Sequence, residues 1–145
     1  MDLRLYTPAD REACLAIFDS NTPAYLAPGE RVEYAAFLAA PREEYYVAEH
    51  DGAVIGCGGL RMSAATPARL TWGMVHRDWQ RKGVGRLLLL YRLRQLSRVA
   101  PEAEFVALAT TPAAQGFYEK LGFRVAAAPR EDGLVEMVKR LAVCA

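Results

Sequence analysis

A chain of 145 residues that is 52% hydrophobic and 24% charged has the makings of one soluble domain with a substantial core. Its formal net charge of +1 argues against strong long-range attraction to nucleic acid or to an anionic membrane. No run approaches the length of a membrane span, and the opening Met1-Asp2-Leu3-Arg4 lacks the apolar core of a signal peptide.

Residues 3–6 read as a short strand. Thr7-Pro8 then supplies an N-cap and a proline at the first helical position, opening a helix that turns Cys14, Leu15, Ile17 and Phe18 inward. Two prolines and a glycine make residues 21–30 a loop. A second helix over 31–40 carries Tyr34, Phe37 and Leu38 as its apolar stripe. The period then changes to that of a hairpin, 45–49 and 53–57, turning at Asp51-Gly52, with the second strand running on toward Met62. Thr66-Pro67 breaks the pattern, and 69–76 resumes it as a strand. Residues 84–99 form the longest helix, with a wide apolar face, and Pro101 ends it.

A strand over 104–109 follows. Thr111-Pro112 repeats the N-cap grammar of Thr7-Pro8 and opens a helix with Ala114, Phe117, Tyr118 and Leu121 on one face and Gly122 as terminator. Strands over 123–127 and 134–141 close the chain around a turn at Asp132-Gly133. This order predicts a single α/β domain, a mixed sheet with helices on both faces. Cys14, Cys57 and Cys144 form an odd, widely spaced set without a CxxC pair, which reads as free thiols in a reducing, cytoplasmic setting.

The stretch with most chemical content is Gln80-Arg81-Lys82-Gly83-Val84-Gly85-Arg86, which opens the longest helix. At a helix start four backbone N–H groups lack intrahelical partners, and the macrodipole adds about half a positive charge. Glycines let such groups close around a phosphate. The bland alternative is a turn with solvated cations. A P-loop is excluded, because Lys82 precedes Gly83 and no Ser or Thr follows. A dinucleotide fingerprint is excluded by Leu88 at its third small position.

Flanking segments sharpen the reading. Before the loop stands Leu70-Thr71-Trp72-Gly73-Met74-Val75-His76; after it comes Ala114-x-x-Phe117-Tyr118-Glu119-Lys120-Leu121-Gly122-Phe123. Together these resemble the GNAT superfamily of N-acetyltransferases. Gln80-x-x-Gly83-x-Gly85 is similar to its acyl-CoA signature and the Tyr118 segment to its second motif. The resemblance implies a mostly antiparallel central sheet with a V-shaped opening between the central strands. It implies acetyl-CoA as co-substrate and no metal. Met74 and Val75 would contact the pantetheine and the thioester carbonyl through their backbone. Gln80, Arg81, Lys82, Gly83, Val84, Gly85 and Arg86 would form the pyrophosphate cradle, with Thr111 where the family often has Asn. The Lys82 side chain reads as solvent-facing. Tyr118 would be the acid that protonates the departing thiolate; its competing reading is a core aromatic beside Phe117. Phe117 and Phe123 read as packing.

The general base is not evident. Relatives often carry a carboxylate on the strand before the glycine loop, and 69–76 has none. A water held by carbonyls, or Glu30 or Glu33, is the alternative. His76 reads as a turn residue and His50 as exposed; Trp72 lines the acceptor channel or fills the core. Acceptor choice is expected from residues 21–30, from Phe18, Tyr25 and Tyr34, and from the turn at 130–133. The partner is then a small-molecule or peptide amine, without nucleic acid or membrane, and a homodimer stays open. The competing classes are a non-catalytic acyl-CoA sensor and a nucleic-acid binder using Arg86, Arg92, Arg94 and Arg98.

Overall fold

The computed structural model describes residues 1–22, 29–62 and 67–141. Tyr25, Thr66, Cys144 and most of the expected loop at 21–30 lie outside the described residues. Strand β1 (Asp2–Leu5) leads through a 3-10 turn (Pro8–Asp10) into α1 (Arg11–Ser20), and α2 is Glu30–Ala39. Strands β2 (Glu44–His50) and β3 (Ala53–Arg61) form the expected hairpin, followed by β4 (Ala68–Val75). Another 3-10 turn (Arg77–Trp79) precedes α3 (Val84–Val99), then come β5 (Phe105–Thr110), a 3-10 turn (Pro112–Ala114), α4 (Gln115–Lys120), β6 (Arg124–Val125) and β7 (Val135–Arg140).

Both Thr-Pro starts begin as 3-10 turns; Thr7 forms a capping box with Asp10, whereas Thr111 makes no side-chain cap. In that box the Asp10 carboxylate accepts from the Thr7 N–H at 2.9 Å, and it also accepts from Arg4 at 2.8 and 2.9 Å. At the last helix Gly122, with φ +94°, serves as the left-handed terminator. The expected strand over 123–127 shrinks to two residues.

The strands form one seven-stranded sheet, in the order β1-β2-β3-β4-β5-β7-β6. Every pairing is antiparallel except β4 with β5. Because side chains alternate across a strand, β2 feeds two cores. Tyr45 and Val47 pack with Phe18 and Ile17 of α1 and Tyr34 and Leu38 of α2. Tyr46 faces the other way, onto Leu89 and Leu96 of α3, and Ala48 joins Ile55, Val84 and Leu88. Each fully buried Leu or Phe is worth about 1.5–3 kcal/mol, so this two-sided packing fixes the central strands in place. β2 therefore reads as a near-continuous buried run from Tyr45 to Ala48.

One residue departs from expectation here. Arg92, taken from the sequence as part of a basic helix face, is 4% exposed and lies inside. It occupies the same helical row as Val84, Leu88 and Leu96, so the face that packs on the sheet carries it inward.

Candidate active site

β4 and β5 pair only at Ala68–Val106 and Arg69–Ala107. β4 continues to Val75 and β5 to Thr110, so beyond Arg69 the two strands splay without hydrogen-bonding each other. The opening is a cavity of about 680 Å³, within the usual size of small-molecule sites. A β-bulge helps part the strands. Thr71 pairs with Gly59 and Met74 with Cys57, leaving Trp72 and Gly73 opposite Gly58 alone. The left-handed residue at the bulge is Trp72, with φ +43°, rather than Gly73. Across the mouth, Arg69 donates to Glu136 of β7 at 3.1 and 2.7 Å, and Arg130 donates to the same carboxylate at 2.9 Å. Those cations hold the Glu136 carboxyl below its ordinary value.

The glycine loop sits directly after β4. Gly83 is left-handed at φ +87° and caps α3, whose first intrahelical bond runs from Leu87 N–H to the Gly83 carbonyl at 3.1 Å. The N–H groups of the first turn thus have no helical acceptor. Gly85 lies beneath Phe117, whose Cζ would be 3.3 Å from an added Cβ. Gln80, Arg81, Gly83, Gly85 and Arg86 line the cavity with Met74 and Val75. Lys82 and Val84 do not point there. Lys82 Nζ lies 5.1 Å over the Trp79 ring, and Val84 is buried in the core. Those two have only backbone N–H groups to offer.

Gln80 has a partner that its sequence position does not suggest. Its Nε2 donates to Asn21 Oδ1 at 2.6 Å and to the Val75 carbonyl at 3.2 Å. Asn21, 5% exposed, donates its own amide to Val75 at 3.0 Å and to Ile17 at 2.9 Å. With its carbonyl taken twice, Val75 retains its N–H for a ligand. His76 is the turn residue expected, its Nδ1 accepting from Asp78 N–H at 3.1 Å. His50 stands 5.0 Å from the Trp79 ring.

The opposite wall comes from β5 and α4. Tyr118 lines the cavity, half-buried, with its ring 5.0 Å from Phe117 and 5.7 Å from Phe123. Burial raises its phenol above the ordinary value, and the nearby Arg92 cation pulls the other way. Tyr118 is therefore packed against its aromatic neighbours and lines the opening as well. Phe123 is packing, but Phe117 is 42% exposed and lines the cavity as well. The expected capping by Thr111 does not occur. Its Oγ1 is buried without a hydrogen-bond partner, and the residue lines the cavity. An orphaned hydroxyl beside a glycine cradle fits a polar ligand arm running between the strands.

Trp72 lines the cavity and also packs on the core, its ring tilted at 38° to that of Tyr34 with centroids 5.0 Å apart. Phe18 and Tyr34 are fully buried core, whereas Arg130 and Asp132 reach the cavity mouth. Glu30 and Glu33, on α2, line the same cavity. The sequence places Asn21 only in the 21–30 acceptor loop, without its bond to Gln80, and Arg92 only among surface cations. The signal for Arg92 is a cation four residues from Leu88 and four from Leu96, in the middle of an apolar row.

The family model of the acetyltransferase (GNAT) domain matches residues 41–125, which include β2 to β6 and the whole glycine loop. The chain belongs to the GNAT acetyltransferase family. Solved GNAT-fold structures cover nearly all of it. An aminoglycoside 6'-N-acetyltransferase complexed with coenzyme A is 15% identical, with 97% of each chain covered and a TM-score of 0.78. The ribosomal-protein-S18-alanine N-acetyltransferase from Escherichia coli is 21% identical over 99% of this chain and 96% of its own, at a TM-score of 0.77. A Salmonella typhimurium protein solved with its cofactor acetyl-CoA is 21% identical over 100% of this chain and 96% of its own, at 0.75. No curated protein matches the sequence. Among the described residues of this GNAT chain, no helix is long and apolar enough to cross a membrane, and no three metal-ligating side chains gather into a group.

Proposed function

We propose that this chain is an acetyl-CoA-dependent N-acetyltransferase that acts by direct attack of an amine in a ternary complex. The observation that carries the reading is the parting of β4 and β5 after Arg69 and Ala107, with the glycine loop following one strand and Tyr118 on the opposite wall. Acetyl-CoA would supply an acyl group activated as a thioester. The unpaired edge of β4 suits an extended arm, which adds to a sheet as a strand does. Val75 offers its backbone N–H along that edge, whereas the N–H of Met74 faces Cys57 of β3 and its side chain is what lines the cavity. The N–H groups of residues 81–86 suit the pyrophosphate, with Arg86 adding charge at the cavity wall. Gln80 holds the loop through Asn21, and Thr111 offers its orphaned hydroxyl.

The reaction needs a neutral amine, a donor for the developing oxyanion and an acid for the leaving thiolate. Tyr118 is suited to be that acid, since a buried phenol keeps its proton at neutral pH. An alkylamine is only about one part in a thousand neutral at pH 7, so a carboxylate near the acceptor matters. Glu33, with Glu30 beside it on α2, is placed to attract the ammonium and take its proton, directly or through water. The acceptor class is a small-molecule or peptide amine, as for the aminoglycoside and ribosomal-protein enzymes of the same fold.

The test is release of CoA thiol from acetyl-CoA across a panel of small amines and peptides with free amino termini. Acceptor-dependent release supports the reading. Tight acetyl-CoA binding with no acceptor-dependent release overturns it and leaves a binding module.

A further inference from the structure

Arg92 is an ionised side chain in an apolar row, and its surroundings are built around it. A Cβ on Gly58 would stand 2.7 Å from its Cζ, and one on Gly73 would stand 3.1 Å from its Nη2. Two strand glycines thus leave the room that the guanidinium fills. Nε donates to the Leu88 carbonyl at 3.3 Å and Nη1 to the Gly59 carbonyl at 3.1 Å, next to the bulge. Among the described residues no carboxylate pairs with it. A buried cation without a counter-charge is costly, and this one lines the cavity between the splayed strands.

The ionisable groups whose charge acts on it are Tyr118 of α4, which lines the same cavity, Tyr45 and Tyr46 of β2 and Cys57 of β3. Three of these are engaged elsewhere. Tyr45 donates to the Trp72 carbonyl at 2.9 Å, Tyr46 donates to Glu44, and Cys57 Sγ lies 3.4 Å from the Tyr34 hydroxyl. Tyr118 is the phenol on the cavity wall. We propose that Arg92 is a positioning residue for Tyr118, a fixed buried cation that stabilises the anion left on the phenol oxygen when it gives up its proton.

This inference rests on the reading of Tyr118 as the acid. As the amine nitrogen bonds to the carbonyl carbon, the C–S bond breaks and its electron pair stays on sulfur. The Tyr118 O–H proton passes to that sulfur, and the negative charge passes to the Tyr118 oxygen. Arg92 lines the same cavity, where a charge in low dielectric is worth more than in water. A proton from the acetylated nitrogen, relayed through water, restores the phenol. Burial makes this deprotonation unfavourable and the cation opposes that penalty.

The experiment places 3-fluorotyrosine at position 118 and follows its ionisation by fluorine NMR in the full chain, with and without Arg92→Met. The inference expects the titration midpoint to rise by about one pH unit or more. In the ordinary protein, Arg92→Met should lower kcat roughly tenfold with the KM for acetyl-CoA within about threefold, and Arg92→Lys should restore much of the loss. Gly58→Ala, whose Cβ would displace the guanidinium, serves if Arg92→Met does not fold, and should move the midpoint in the same direction. An unmoved midpoint in a folded variant overturns the inference. If Tyr118→Phe keeps full turnover while the midpoint still moves, the acid reading falls and the electrostatic link between the two residues stands.

Discussion

Gln80 and Asn21, 59 residues apart, share a hydrogen bond of 2.6 Å that ties the glycine loop to the end of α1. The same two amides converge on the Val75 carbonyl. The end of β4, the start of the loop and α1 are thereby held as one unit. Asn21→Ala removes the buried partner at a cost of about 1 kcal/mol. If that order is needed for binding, the affinity for acetyl-CoA falls roughly fivefold. Thermal melting and calorimetric titration of the variant read the two effects.

Gly83 has φ +87° and open space where a Cβ would go. The cost of Gly83→Ala is therefore conformational, about 1–2 kcal/mol. Gly133, at φ +82° and equally open, is a matched control in the β6–β7 turn. Both variants should lose similar stability in denaturant melts, and only Gly83→Ala should also weaken acetyl-CoA binding.

Tyr118→Phe keeps the ring that packs on Phe117 and Phe123 and removes the hydroxyl. General acids are typically worth about 10²–10⁴-fold. The variant should lose turnover on that scale while its calorimetric Kd for acetyl-CoA stays within about threefold of the parent value. Unchanged turnover would take Tyr118 out of the chemistry.

Glu33 lines the cavity from α2, outside the segment that matches the family model. Glu33→Gln should raise the KM for the amine acceptor several-fold and leave that for acetyl-CoA alone. Initial-rate kinetics with each substrate varied in turn separate the two.

Acid sensitivity should trace in part to Asp10, alongside Glu136. The Asp10 carboxyl is held below the ordinary value of 3.8, chiefly by the hydrogen bond from Arg4. A lowered folded value means that the stabilisation is fully present above about pH 4 and lost as the pH falls through the folded value. Arg4→Met should flatten that part of a stability-versus-pH curve measured by urea unfolding, with little change in its slope above pH 5.

Much of this fold was legible because local rules decide it. Hydrophobic period marks α3 over its whole length, Asp51-Gly52 marks the β2–β3 turn, and Gly122 marks the end of α4. The α/β class and the loop at 80–86 follow from those elements in order. What stayed hidden depends on distant parts meeting. Asn21 reads as a loop residue until α1 brings it to Gln80. Arg92 reads as surface charge until Gly58 and Gly73 are seen to leave it space. Thr111 carries an N-cap signature, yet its hydroxyl is buried without a partner, because the turn that follows is 3-10 and leaves the cap unused. Glu30 and Glu33 are candidates from sequence alone, but only the fold shows that α2 brings both to the cavity that β4 lines.

An amide chemical-shift map of the protein titrated with acetyl-CoA bears on all of these placements at once. Binding at the proposed site should move the amides of residues 81–86 together with Met74, Val75 and Thr111, at saturable concentrations. Shifts confined to other surfaces, with the glycine loop and the β4 edge unmoved, would contradict the assignment of the splayed strands as the acetyl-CoA site.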